Sequence, residues 1–396
     1  MATSSDLRRA WQGPAVLSFG FRPFFLGAAL WAALAMGLWL AVLAGLVSLP
    51  SAFDPLAWHA HEFLYGYLMA VVAGFLLTAV PNWTGRLPMV GWPLGGLALL
   101  WLAGRLAVLV SVGLPPLAVA LADLALPVVL AAALAREIVA GRNWRNLGVL
   151  ALLGLLAAGN AVFHWEAAQG HAAAQGYGLR IGLAAGVMMI GLIGGRIIPS
   201  FTRNWLVRRG PGRLPAPPMQ RADKAALLVL ALALILWIAA PLQALTGVAL
   251  LVAGALHLHR LGRWAGERVL AEPLVWVLHA GYAFVPLGAL ALGVDALVPG
   301  LLGPAAQHLW MAGAIGVMTL AVMSRATLGH TGQALHAGRG TTALYLALLL
   351  AVLARFVAGV WPGLAGIWLD LAGLGWIVAF AGFGLLYGPL LLRARG

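Results

Sequence analysis

The stretch HEFLYGYLMAVVAGFLLTAVPNWTG, residues 61–85, opens on a histidine–glutamate pair, runs from Phe63 onward without a charge, and closes on Pro-Asn-Trp-Thr-Gly. A helix of about 20 such residues, rising 1.5 Å per residue, crosses about 30 Å of hydrocarbon. Its Leu, Ala, Val and Gly follow one another without alternating with polar residues, which excludes a strand of a membrane β-barrel. Eleven similar runs flank it, giving apolar cores at 24–47, 61–80, 92–112, 116–136, 146–165, 177–198, 225–240, 244–258, 272–293, 304–324, 341–360 and 366–391. The chain therefore reads as an all-α integral membrane protein of twelve transmembrane helices, one transmembrane domain over 1–396. Composition agrees, since 63% hydrophobic residues, 9% charged residues and a mean hydropathy of +0.96 exclude a soluble domain. No small-residue processing site precedes the first run, so the first helix is expected to stay as an anchor. The chain has no cysteine, which excludes disulfides, cysteine-bound zinc and iron–sulfur clusters.

The net charge of +13 suggests nucleic acid until its placement is considered. In the twelve-span order, 21 of the 24 Lys and Arg residues fall on one side of the membrane. The positive-inside rule places that side in the cytoplasm, with both termini. The connection TRNWLVRRGPGRLPAPPMQRADK, 202–224, is then a cytoplasmic loop in contact with lipid headgroups, and no nucleic-acid partner is expected. The expected location is a bacterial inner membrane, with the lipid bilayer as partner.

Stacking the second, sixth and tenth spans without gaps (61–85, 179–203 and 308–332) aligns Thr84 with Thr202 and Thr331, His61 with His308, Gly66 with Gly313, Arg196 with Arg325, and Pro81 with Pro199. Three repeats of four helices, about 20–140, 141–262 and 268–393, would generate this match. The organisation resembles the pseudo-threefold layout of the haem–copper oxidases, in which histidines from helices two and ten clamp a haem; that is a likeness of layout only.

Histidines inside membrane spans point to function by default. In DPLAWHAHEFLYGY, 54–67, Asp54 and Pro55 read as the cap and first residue of a helix, so His59 and His61 diverge by about 200° and serve different neighbours. His61 then shares a face with Tyr65, and His59 lies one turn from Phe63. A later helix start would instead leave an extended His-Ala-His able to chelate copper through both rings. His61 and His308, equal in depth, are the expected axial ligands of a b-type haem, for no Cys-x-x-Cys-His attachment site exists. Copper is assigned to His59 and His164, the latter one turn after Asn160. His279 with Tyr282, and Arg325 with His330, suit a second cofactor, a proton path or a hydrogen-bonded cap. Arg105, Arg180 and Arg355 break the charge pattern in the outer half of the membrane. They face haem propionates or an anionic substrate, or pair across a turn with Asp123, Glu166 and Asp370.

The segments FRPFFL (21–26), WHAHE (58–62), GFLLTAVPNWTGR (74–86), WLAGR (101–105), GGRIIPSFTRN (194–204), LHAGY (278–282) and GAIGVMTLAVMSRATLGHTG (313–332) together resemble the NnrS family of bacterial inner-membrane proteins. The chain departs from the family pattern at Ser324 and Gln333, neither a candidate ligand. The resemblance implies haem and copper as cofactors and protection against nitrosative stress. It therefore implies nitric oxide or a related small ligand, such as a nitrosylated metal species. It leaves open whether the protein is an enzyme, and a nitric oxide reductase is not indicated because span six has no histidine in its apolar core. A transporter of a metal or small anion is the alternative.

Overall fold

A computed structural model describes residues 11–394 apart from Leu87; Arg8, Arg9 and Arg395 of the charge pattern lie outside them. Twelve helices long and apolar enough to cross a membrane account for all twelve runs: α1 Phe21–Leu43, α2 Pro55–Thr84, α3 Trp92–Leu109, α4 Pro116–Ala140, α5 Trp144–Ala168, α6 Tyr177–Leu206, α7 Arg221–Ala239, α8 Ala244–Gly262, α9 Pro273–Leu297, α10 Pro304–Thr331, α11 Arg339–Val360 and α12 Pro362–Leu392. No strand occurs among the described residues.

Side-chain exposure separates two kinds of helix. The apolar windows of α2, α6, α9 and α10 are two-thirds or more buried, whereas each of the other eight is at most 39% buried. On those eight the exposed apolar residues fall at helical spacing, as with Leu228, Leu232 and Ile235 on α7 and Leu346, Leu350 and Leu353 on α11. A stripe at i, i+4 and i+7 that faces outward demands an apolar surround, which the bilayer supplies.

Three helices widen into π turns: α2 at Glu62–Tyr67, α6 at Ile190–Gly194 and α10 at Leu309–Val317. They are the three helices matched by the sequence repeat. A π turn lengthens the hydrogen-bond step from i+4 to i+5, so a carbonyl in it needs a partner that hydrocarbon cannot give. Side chains meet that need. Trp101 Nε1 donates to Gly66 O at 2.9 Å, Arg260 Nη1 donates to Gly191 O at 2.8 Å, and Thr319 Oγ1 donates to Ile315 O and Gly316 O at 2.6 and 2.9 Å.

The chain divides into two compact units. The first runs to Ala185 and adds Thr327–Gln333 and the segment from Phe380; the second comprises Gly186–Ala326 and Ala334–Ala379. The repeat boundaries near 140 and 262 fall inside these units. In the first, the Tyr65 hydroxyl donates to Gly178 O at 2.6 Å across a surface of small residues. A Cβ built on Gly182 would stand 2.2 Å from that oxygen, and one on Gly159 2.7 Å. Close approach through glycine is how helices associate where no hydrophobic effect drives them together.

Five helices, α2 to α6, separate residues 52 and 208, an odd number that sends them to opposite membrane faces. The chain has no cysteine, so Ala52→Cys and Arg208→Cys each carry a single thiol. An impermeant maleimide applied to oriented vesicles is expected to label one and spare the other. Labelling of both from one side would remove a helix from the count.

Candidate metal centre

The α2 helix starts where its sequence requires. Asp54 Oδ1 accepts from Leu56 N at 3.0 Å and Ala57 N at 2.9 Å, and Pro55 occupies the first turn, where its missing N–H is no loss. Residues 55–61 are helical, so the extended His-Ala-His chelate does not form. The two histidines part company as helical spacing dictates. His59 stacks on Trp39 at 4.4 Å and lies 4.9 Å from Phe63. His61 turns into the first unit, with Tyr65 at 5.4 Å.

There His61 enters a buried cluster drawn from four helices. Its Nδ1 lies 3.1 Å from Glu62 Oε1, and its Nε2 lies 3.0 Å from Asn160 Oδ1 and 3.2 Å from Asp123 Oδ2. Asp123 Oδ2 also stands 3.1 Å from His164 Nε2 and accepts from Asn160 Nδ2 at 2.7 Å. Asn160 and His164 are one turn apart on α5, so one helix face delivers both. Arg105 bridges the two carboxylates, donating to Glu62 Oε1 at 2.6 Å and to Asp123 Oδ1. His61, Glu62, Arg105, Asp123, Asn160 and His164 are all buried, although helices of this apolarity favour no charge.

His61 Nε2, Asp123 Oδ2 and His164 Nε2 lie within 4.8 Å of one another, which is room for one shared ion. Ligand atoms about 2.1 Å from a metal and between a right angle and the tetrahedral angle apart are about 3.0–3.4 Å from each other. The two Asp123-to-imidazole distances fall in that interval. Hydrogen-bond chemistry points the same way. Both ring nitrogens of His61 face carboxylate oxygens, yet a neutral imidazole carries one N–H, so one contact sets a lone pair against an anion. A cation between Nε2 and Asp123, either a proton on the ring or a metal ion, removes the conflict. Charge leads to the same place: Glu62 and Asp123 bring two negative charges, Arg105 one positive, and the cluster lacks one positive charge. Phe53, 5.2 Å from His61 and 5.3 Å from His164, and Phe163, 5.3 Å from His61, wall the centre with apolar rings.

The family follows from the whole chain. Residues 15–395 match the family described as NnrS protein. The chain belongs to the NnrS family. No curated protein matches it.

Within this NnrS chain the sequence-derived candidates are distributed unevenly. His61, His164 and Arg105 meet in the cluster. Glu62 and Asp123, the second read from sequence as the counter-ion of Arg105, prove central, and Asp123 offers a ligand atom. Its signal was present: it is the single acidic residue of the 116–136 run. His59 stacks on Trp39, and the imidazole that meets His164 and Asp123 is His61. His330 packs between Phe19 at 5.0 Å and Phe21 at 5.5 Å. His279, in the second unit, lies 2.8 Å from Thr202 Oγ1 through Nε2. His308 donates Nδ1–H to Pro304 O at 2.8 Å. Arg180 lies over the Tyr177 ring at 4.7 Å and donates to Gln175 O, within electrostatic reach of Glu166. Glu166 accepts from Tyr177 N and Gly178 N at the start of α6. Arg355 is half-buried, Asp370 is exposed, and no ion pair joins them among the described residues.

Gly66 gives the cluster its room. A Cβ there would stand 2.6 Å from Arg105 Nη1, 2.9 Å from Glu62 Oε2 and 3.1 Å from Trp31 Nε1. At Gly96, on α3, a Cβ would meet nothing within 4 Å. Gly66→Ala is expected to lower stability by about 1–3 kcal/mol, the usual effect of overpacking. Gly96→Ala is expected to leave it unchanged or slightly higher. Thermal unfolding of the two variants in detergent checks the pair, and equal midpoints would show that the cluster tolerates the methyl.

Proposed function

We propose that this protein is a metal-dependent membrane protein of the nitric oxide response, and that its metal sits in the first unit on His61, Asp123 and His164. Family membership supports the link to nitric oxide. The observation that supports the metal is the convergence of two imidazoles and a carboxylate around one missing positive charge, deep among apolar helices. In this reading His61 and His164 supply nitrogen ligands and Asp123 supplies oxygen. Asn160 orients Asp123 by donating Nδ2–H to it, while Glu62 accepts from the far nitrogen of His61 and so fixes its tautomer and ring angle. Arg105 keeps both carboxylates in place and partly neutralised. Phe53 and Phe163 keep water from the centre. The metal, when bound, offers a coordination position to nitric oxide or to a nitrosylated species.

The resemblance implies two cofactors, and the residues accept them differently. Copper suits the two imidazoles of the cluster, a preference it shares with zinc and iron, and the carboxylate of Asp123 favours a divalent ion. Haem b does not suit His61, since Asn160 Oδ1 and Asp123 Oδ2, 3.0 and 3.2 Å from its Nε2, lie where a porphyrin plane would have to pass. His308 remains a candidate axial ligand, because donation of Nδ1–H to Pro304 O makes Nε2 its basic nitrogen. A bacterial inner-membrane location with cytoplasmic termini belongs to the same proposal, on the strength of the positive charge gathered on one side.

Metal analysis of purified variants tests the assignment. His61→Ala, Asp123→Asn and His164→Ala are each expected to lose about one equivalent of metal per chain and to lower survival of the host under a nitric oxide donor. His59→Ala is expected to keep both. Full metal content in two of the three cluster variants, with normal membrane insertion, would refute the site.

A further inference from the structure

One carboxylate of the second unit is answered by nothing in the chain. Every other described acidic residue accepts a hydrogen bond from within the chain. Asp370 of α12 accepts none and is exposed. It shares a helix face with Ile367, Leu374 and Val378, which are 62%, 53% and 55% exposed, so it points at hydrocarbon. Trp361, 65% exposed at the turn before α12, marks the headgroup level. The residues between them, at 1.5 Å each, put Asp370 about 13 Å below that level. Its short side chain does not reach back to water over such a distance, and a lone charge there is costly. The neutral acid would still lack a hydrogen-bond partner.

A matching cation lies in the same chain, out of reach. Arg355 of α11 is half-buried and bonds no carboxylate among the described residues. α11 and α12 cross where a Cβ on Gly375 would stand 3.0 Å from Ala351 Cβ. Arg355 is one turn beyond Ala351, on the side of α11 that meets α12. Asp370 precedes Gly375 by a little more than one turn, which gives it the level of Arg355 but rotates it about 140° from the crossing. The two charges therefore sit at one depth on opposite sides of α12. The outward side is also open to close approach: a Cβ on Gly366, one turn before Asp370, or on Gly363 would meet nothing within 4 Å. Small residues on a lipid-facing surface let two helices come together.

We propose that this face of α12 binds a second copy of the chain within the membrane, with Asp370 of each copy paired to Arg355 of the other. A twofold axis repeats each contact, so one patch serves both copies. Each chain brings one unmatched anion and one unmatched cation at one depth, and reciprocal pairing leaves neither alone. A lipid neighbour leaves both. A different protein would have to present an acid and a base at the same level, which a second copy does by construction. Gly366 brings the backbones near enough for a short aspartate to be met, and the long arginine side chain spans what remains.

Full-length protein carrying Ala52→Cys, its single thiol, is labelled with a donor or an acceptor dye and co-reconstituted in lipid vesicles. Energy transfer followed over a series of lipid dilutions gives the dissociation constant of the dimer. Protein otherwise wild type is expected to transfer energy at dilutions where random proximity does not. Asp370→Arg and Arg355→Asp each set like charges against one another and are expected to weaken the dimer about tenfold or more. The two together exchange the charges and are expected to restore the dissociation constant to within about threefold. Gly366→Leu, whose added side chain meets nothing in its own chain, is expected to weaken the dimer by a similar factor with an unchanged thermal unfolding midpoint. That variant tests the face even where a charge reversal fails to insert. Otherwise wild-type protein that is monomeric in vesicles overturns the inference, and so does a dimer that survives Gly366→Leu or a single charge reversal. Loss of the dimer in both reversals without recovery in the double variant overturns the pairing of Asp370 with Arg355.

Discussion

The buried polar cluster of the first unit is arranged around the Arg105 guanidinium, a cation that cannot reach water from where it lies. A buried charge of this kind is tolerated only when paired and hydrogen-bonded, and removing one member of such a pair typically costs about 3–5 kcal/mol. Arg105 therefore requires Glu62 from α2 and Asp123 from α4, and those two carboxylates in turn require donors. Asn160 answers Asp123, and the imidazoles of His61 and His164 close the set. Four helices are thus bound by polar contacts in a solvent that offers no hydrophobic effect to hold them. The ion pair alone would stiffen the unit. The second carboxylate turns a structural pair into a site with an electrostatic demand.

The wide turn in α2 is what brings that second carboxylate in. Glu62 opens the π segment Glu62–Tyr67, and Gly66 within the same segment has no side chain to keep Arg105 away. The carbonyl at Gly66 is taken by Trp101, which belongs to α3 as Arg105 does. One distortion of α2 is therefore fixed from α3 at two points, by the indole and by the guanidinium. Departures from α-helical pitch are frequent at functional sites, and here the departure carries a charged group into the interior.

The sequence disclosed depth well and rotation poorly. Runs of apolar residues located all twelve helices, and the Asp54–Pro55 start located the beginning of α2 and separated His59 from His61. Equal distance from an outer turn paired Arg105 with Asp123 across α3 and α4. The same argument paired Arg355 with Asp370, and it failed there because equal depth does not make two side chains face one another; Asp370 points outward. Similar height also grouped His59 with His164, whereas the imidazole that converges on His164 and Asp123 is His61. Which histidine α2 turns toward α5 depends on how the helices rotate about their axes, and that is set by glycine contacts such as Gly159 and Gly182 around Tyr65. Nor did any residue pattern announce the π turns, which need partners from other helices to satisfy their carbonyls.

The second unit holds a network of similar residue types in which the carboxylate is outmatched by cations, with Arg263 Nη1 also 3.8 Å from Asp223 Oδ1. Arg260 donates through Nε to Asp223 at 3.0 Å and through Nη1 to the Tyr282 hydroxyl at 2.8 Å. Since Ala226 O accepts from His257 Nε2 at 3.1 Å, His257 Nδ1 is the lone-pair nitrogen and takes the Tyr282 proton at 2.8 Å. Every hydrogen in that chain has one direction, and one buried cation meets one buried anion. No cation is called for, and two imidazole nitrogens and a carboxylate do not converge. Replacing the neutral Tyr282 position by a second carboxylate is, in electrostatic terms, what the first unit has done with Glu62. The difference between a packing network and a candidate metal centre in this protein is therefore one buried carboxylate and the direction of one imidazole.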